Sequence, residues 1–179
     1  MCFFIAKRLL ELYSEVVSRP FSKERTMSYH GIFLHVVFST KFRKPVLDDG
    51  CREDLFGYIG GTIREHKAEL IVGGGVEDHV HLLVRINPKY AISATMKLLK
   101  ANSARWINQE KKTRSKFQWQ LGYGAFSVSK SGLKDVIAYI ENQQEHHKKV
   151  SYQDEFLLLL KRYEIDFNPD YVFEEEVVG

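Results

Sequence analysis

The chain has 179 residues and carries 26 Lys and Arg against 23 Asp and Glu, a formal charge of +3, with 44% hydrophobic and 27% charged residues. That length and balance describe a folded domain with its own core, exclude a disordered or fibrous protein, and leave no apolar run long enough to span a bilayer. The two cysteines, Cys2 and Cys51, have neither the paired spacing of a zinc knuckle nor the density of a disulfide scaffold, which points to a reducing cytoplasm.

Residues 1–26 hold five basic and three acidic groups, with an amphipathic helical look in Ile5, Leu9, Leu10, Leu12, Val16 and Val17 that breaks at Pro20. Lys7-Arg8 cuts the opening apolar run short, so it does not read as a signal peptide. The segment reads as a loosely packed or non-native extension ahead of Met27, with a docking helix as the alternative. Residues 27–150 form the body, with 19 basic groups against 12 acidic, and residues 151–179 carry 2 against 8. A basic body suits a polyanionic partner, while the acidic end reads as solvated.

The β-branched and aromatic residues from Tyr29 to Thr40 predict a strand buried on both faces. Leu55, Phe56, Ile59 and Ile63 predict a helix over 49–67, capped by Asp48 or Asp49. Two strands, 70–73 and 79–86, follow as a hairpin. Gly73-Gly74-Gly75 reads as its turn, not as a phosphate loop, because no Gly-Lys-Ser/Thr comes after it. A long helix over about 91–112, a strand over 125–129, a helix over 131–149 and a short helix over 152–163 complete the chain. This order predicts an α+β fold: a ferredoxin-like (RRM-like) antiparallel sheet with helices on one face and extra C-terminal helices.

Chemistry concentrates in two places. In Asp78-His79-Val80-His81-Leu82-Leu83-Val84 the period-two alternation of a strand puts His79 and His81 on one face, about 7 Å apart at their backbones, while Val80, Leu82 and Val84 turn into the core. Two imidazoles so placed can share a cation or stand as half-buried surface residues. On the helix near residue 140, Leu133, Val136, Ile137 and Ile140 make the apolar stripe, with Tyr139 and Gln143 one turn apart at its edge. Position alone does not separate a reactive tyrosine from a packing one. His146 and His147 read as cations favoured by the helix C-terminal dipole, His35 as a packed strand residue, and Asp78 as either an orienter of a metal-bound histidine or a turn former.

Taken together, His35-Val36-Val37-Phe38-Ser39-Thr40-Lys41-Phe42-Arg43-Lys44-Pro45-Val46-Leu47, the 78–84 segment, Gly122-Tyr123-Gly124-Ala125-Phe126-Ser127-Val128-Ser129 and Val136 to His147 resemble the single-tyrosine HUH transposases of bacterial insertion sequences. The likeness runs in order from about Met27 to Phe173, which makes 27–150 the catalytic region and 151–179 a C-terminal helix with an acidic tail. The resemblance implies a divalent metal held by His79, His81 and Gln143, and Tyr139 as the nucleophile that attacks a DNA phosphate. It also implies a homodimer with a joined sheet, and hairpins in single-stranded DNA as partners. Two imidazoles and an amide oxygen suit Mg²⁺ or Mn²⁺, and imidazole also suits Zn²⁺.

The predicted phosphate contacts are Lys97, Lys100, Arg105, Lys111 and Lys112, followed by Arg114 and Lys116, with Lys41, Arg43 and Lys44 as a second set. Trp106, Phe117 and Trp119 lie among them as bases' possible stacking partners or as core. The functional expectation is cutting and rejoining of single-stranded DNA through a 5′-phosphotyrosine. The rival readings are a domesticated palindrome-processing relative, an RRM-like binding module with incidental histidines, and a small metal-dependent hydrolase.

Overall fold

The computed structural model describes residues 29–168 and 171–173. The expected N-terminal extension and the end of the acidic tail lie outside them. Four strands, β1 (Ile32–Ser39), β2 (Glu69–Gly75), β3 (His79–Ile86) and β4 (Gly124–Val128), pair antiparallel in the order β2-β3-β1-β4. This is the expected ferredoxin-like arrangement. Its helices are α1 (Asp49–Thr62), α2 (Ile92–Gln109), α3 (Leu133–Glu141), α4 (Gln143–His146) and α5 (Tyr152–Arg162).

Alternation along the strands divides the apolar residues between two layers. Val36, Phe38, Val80, Leu82 and Val84 pack with Leu55, Ile59 and Ile63 from α1 and the turn after it, and with Met96, Leu99 and Ile107 of α2. At roughly 1.5–3 kcal/mol per fully buried side chain, this layer is the main source of stability. The Asp48 carboxylate accepts the Cys51 amide at 2.8 Å and starts α1, as one of the two expected caps. The opposite face is covered by the C-terminal helices: Leu83 and Val128 meet Leu133 and Ile140 of α3, while Val37 and Phe126 meet Tyr152, Phe156, Leu159 and Leu160 of α5.

Two expectations are corrected here. Gly73-Gly74-Gly75 is not the hairpin turn but the end of β2. A side chain on Gly74 would stand 2.0 Å from the Ile140 carbonyl, so its hydrogen is what lets α3 lie directly on the strand. Gly75 adopts φ +150°, a region open to glycine. The single helix expected over 131–149 is broken at Asn142, where φ −95° and ψ 17° leave the helical range. Asparagine is a weak helix former, but the break is local: His146 and His147 again donate to the carbonyls four residues back, at 3.1 and 3.0 Å.

Candidate active site

His79 and His81 leave β3 on the face that carries Leu83, opposite Ser39, Val37 and His35 in register on β1. The alternation is as expected, but this face is not open: α3 and α5 lie over it, and both imidazoles are fully buried. They are not half-buried surface residues, and any substitution of His81 also disturbs packing.

The buried imidazoles are not alone. His147, two turns beyond Ile140, brings Nε2 to 2.8 Å from His79 Nε2. Glu155, on the first turn of α5, sets Oε2 at 3.1 Å from His81 Nε2, 3.2 Å from His147 Nε2 and 3.8 Å from His79 Nε2. One ligand atom from each of these four residues lies within 4.8 Å of all the others. His81 Nε2 and Glu155 Oε2 face each other across the cluster, yet neither finds a hydrogen-bond partner among the described residues. Buried polar atoms left in that state are costly, and a divalent ion between them would satisfy them. The donor set, imidazole nitrogens with a carboxylate, fits such an ion.

The nucleophile expected from sequence, Tyr139, is half-buried on α3 of the same chain. Its ring stands edge-on to His35 and His81, with both centroids 5.9 Å away, and its hydroxyl donates to Glu155 Oε1. Gln143, one turn on, is buried. Its amide nitrogen reaches the Tyr139 carbonyl at 3.3 Å and Glu155 Oε1 at 3.4 Å, and its Oε1 finds no hydrogen-bond partner among the described residues. The structure thus brings His79, His81, Tyr139 and Gln143 into one site.

Burial, assisted by His81, pushes the His35 imidazole down to about 3. Burial likewise pushes His81 down to about 4, outweighing the Glu155 carboxylate. Burial opposes charge on Glu155 as well, but His147 and His81 hold its carboxyl well below the usual range. Burial, then the Glu155 carboxylate, push the Tyr139 phenol above the ordinary tyrosine value. At neutral pH the site therefore presents neutral His35 and His81, a carboxylate and an intact phenol. Neutral imidazole and carboxylate are the states that bind metal.

Sequence reading missed Glu155 by assigning its segment to a solvated end. The signal was present: Tyr152, Glu155, Phe156, Leu159 and Leu160 follow the spacing of one helical stripe, all are buried, and Glu155 is the charge within it. His147 was read as a dipole cap because it ends the helix, although it lies two turns beyond Ile140 on the same stripe.

The expected DNA contacts separate into groups. Lys41, Lys44, Lys97, Arg105 and Lys111 are exposed. Lys112 pairs with Asp54 at 2.6 Å. Phe117 and Trp119 are core, the latter donating its indole N–H to Ser103 at 2.9 Å, and Trp106 stacks on Tyr58. Lys100 donates to the carbonyls of Gln120, Leu121 and Gly122 at 2.6, 2.9 and 2.6 Å, clamping α2 to the loop before β4. Lys100→Met is expected to lower stability by about 1–2 kcal/mol in urea denaturation, since bonds to a charged donor are lost together. An unchanged midpoint would return this ammonium to the DNA-contact set.

A four-stranded ferredoxin-like sheet with paired strand histidines beneath a helix-borne tyrosine defines a protein of the tyrosine-transposase kind. The family model described as "Transposase IS200 like" matches residues 28–143, and the chain belongs to that family. It is 28% identical over 116 residues to the ISDra2 transposase TnpA of Deinococcus radiodurans, covering 62% of this chain and 83% of the relative. It is 26% identical over 119 residues to the transposase for insertion sequence element IS200 of Salmonella typhimurium, covering 64% and 78%. Among solved structures, one assigned as a transposase of D. radiodurans R1 superposes with a TM-score of 0.53 at 28% identity, over 69% of this chain and 98% of that one. A REP-associated tyrosine transposase bound to a REP hairpin shares the fold, with a TM-score of 0.52 at 12% identity, over 73% and 76%. Among the described residues no helix is long and apolar enough to cross a membrane.

Proposed function

We propose that this transposase cuts and rejoins single-stranded DNA by transesterification, with Tyr139 as nucleophile and with His79, His81 and Gln143 holding a divalent ion. The observation that carries the reading is the Tyr139 ring against the buried His81 of the same chain, 5.9 Å between centroids. When bound, the ion supplies positive charge that offsets the negative charge of the phosphate under attack. In the reaction the Tyr139 oxygen bonds to phosphorus and releases its proton. The bond from phosphorus to the 3′ oxygen breaks, and that oxygen takes up a proton. The products are a 5′-phosphotyrosine and a free 3′ hydroxyl, so the bond energy is kept and another strand can reverse the step without ATP.

A cleft of about 580 Å³ opens beside His79 and His147, with Arg52 and Lys148 in its lining, and offers a route for the strand. Lys41, Arg43, Lys44, Lys97, Arg105 and Lys111 are proposed to meet its phosphates, and a hairpin is the proposed DNA form. A homodimer belongs to the same reading, with β2 and β4 as the sheet edges through which a second copy would continue it.

The test is incubation of a labelled single-stranded hairpin with the full chain and Mn²⁺ or Mg²⁺. A covalent protein–DNA adduct that EDTA prevents is expected on a denaturing gel. Hairpin binding with no metal-dependent cleavage of any element-end substrate would instead favour the non-catalytic binding module.

A further inference from the structure

The cluster contains more donors than the proposed ion site uses, and their orientation shows a pattern. Each of the three buried imidazoles has its Nδ1 side anchored outward. His79 Nδ1 meets Asp78 Oδ1 at 2.6 Å, His81 Nδ1 meets His35 Nε2 at 2.9 Å, and His147 Nδ1 meets the Val150 carbonyl at 2.8 Å. All three Nε2 atoms are thereby turned to the point that Glu155 Oε2 also reaches. Outer partners that fix ring and tautomer in this way are the habitual surroundings of metal-bound histidine.

The spacing agrees. Ligand atoms about 2.1 Å from a common ion stand roughly 3.0–3.4 Å apart in octahedral or tetrahedral arrangements. Four of the six separations, 2.8, 3.1, 3.2 and 3.8 Å, lie around that range, and all six are within 4.8 Å. An internal ion pair of Glu155 with His81 or His147 would use the same contacts of 3.1 and 3.2 Å, and the metal titration separates the two arrangements.

We propose that His147 and Glu155 are protein ligands of the divalent ion together with His79 and His81, and that Glu155 couples ion and nucleophile by binding the one through Oε2 and the Tyr139 hydroxyl through Oε1. This rests on the metal-dependent reading above and extends it. It makes the helix beyond residue 150 part of the active site. With Gln143 Oε1 retained, a set of three imidazoles, one carboxylate and one amide oxygen prefers Mn²⁺ or Zn²⁺ to Mg²⁺, because Mg²⁺ favours oxygen ligands throughout.

The experiment is a titration of the full chain with Mn²⁺, free ion being read by electron paramagnetic resonance, with no DNA present. Glu155→Gln keeps the side chain's shape but removes its charge, and is expected to weaken Mn²⁺ binding tenfold or more; His147→Gln should do the same. Tyr139→Phe should stay within twofold of the parent chain, and a large excess of Mg²⁺ should displace Mn²⁺ poorly. Circular dichroism identifies a variant that fails to fold, in which case the other ligand variant decides. Unchanged affinity in Glu155→Gln and His147→Gln overturns the proposal. Tighter binding in Glu155→Gln overturns it too, by showing that the carboxylate occupies the ion's place and is not its ligand. A parent chain that binds no Mn²⁺ also overturns it. Adduct formation on the hairpin, scored separately on the same preparations, reports on the transesterification reading, so the two can fail independently.

Discussion

Tyr139→Phe is expected to abolish the covalent DNA adduct, a loss of about 10³-fold or more, while hairpin binding and the fold persist. The phenylalanine ring retains the edge contacts to His35, His81 and His146, whose centroids lie 5.9, 5.9 and 5.4 Å from that of Tyr139. What is removed is one oxygen, with a hydrogen bond to the Glu155 carboxylate worth about 1.5–3 kcal/mol. The Glu155 Oε1 atom that Tyr139 leaves keeps Gln143 Nε2 at 3.4 Å and His146 Nε2 at 3.3 Å, so it is not stranded. The rival nucleophile by proximity is Tyr152, whose ring centroid is 4.8 Å from that of His79. It is 3% exposed and its hydroxyl points to Gln120 at 3.5 Å, away from the cluster. Tyr152→Phe should therefore form the adduct that Tyr139→Phe does not. A denaturing gel of labelled hairpin with Mn²⁺ reads both variants, and an adduct surviving in Tyr139→Phe would remove this residue from the nucleophile's role.

The sheet was legible because its strands announce themselves twice, by β-branched content and by alternation that the histidines at 79 and 81 share with the valine and leucines between and after them. Tyr139 and Gln143 were legible through a resemblance that joins segments far apart in sequence, since nothing local marks a tyrosine at a helix edge as reactive. Glu155 and His147 were not read as site residues. Their meaning depends on α5 packing onto the second face of the sheet, a tertiary outcome. Lys100 illustrates the opposite error. A lysine in a basic run looks available for phosphate, yet three carbonyls arranged by the loop before β4 take its donors. Charge content predicted the partner class, whereas only the fold distinguishes cations that meet solvent from those used internally.

Gly74→Ala should disable the chain in a way no composition argument anticipates. The added methyl would stand 2.0 Å from the Ile140 carbonyl oxygen and 2.9 Å from its carbon, and these are backbone atoms of α3 that cannot rotate aside. Either β2 or α3 must shift, at a cost of about 3 kcal/mol, the upper part of the usual range for overpacking. Tyr139 immediately precedes Ile140, so the shift is transmitted to the proposed nucleophile. A misplacement of about 1 Å lowers rates by about 10²-fold, and the adduct should form at least that much more slowly even in the fraction that remains folded. Gly57→Ala supplies the contrast. That glycine is exposed within α1, nothing stands within 4 Å of the new methyl, and the substitution should stabilise the chain by about 0.5–1 kcal/mol through better helix propensity. Urea denaturation gives the two stabilities and timed adduct assays give the two rates. If Gly74→Ala matched Gly57→Ala in both, α3 would not rest on β2 as described, and the position of Tyr139 over the histidines would lose its structural basis.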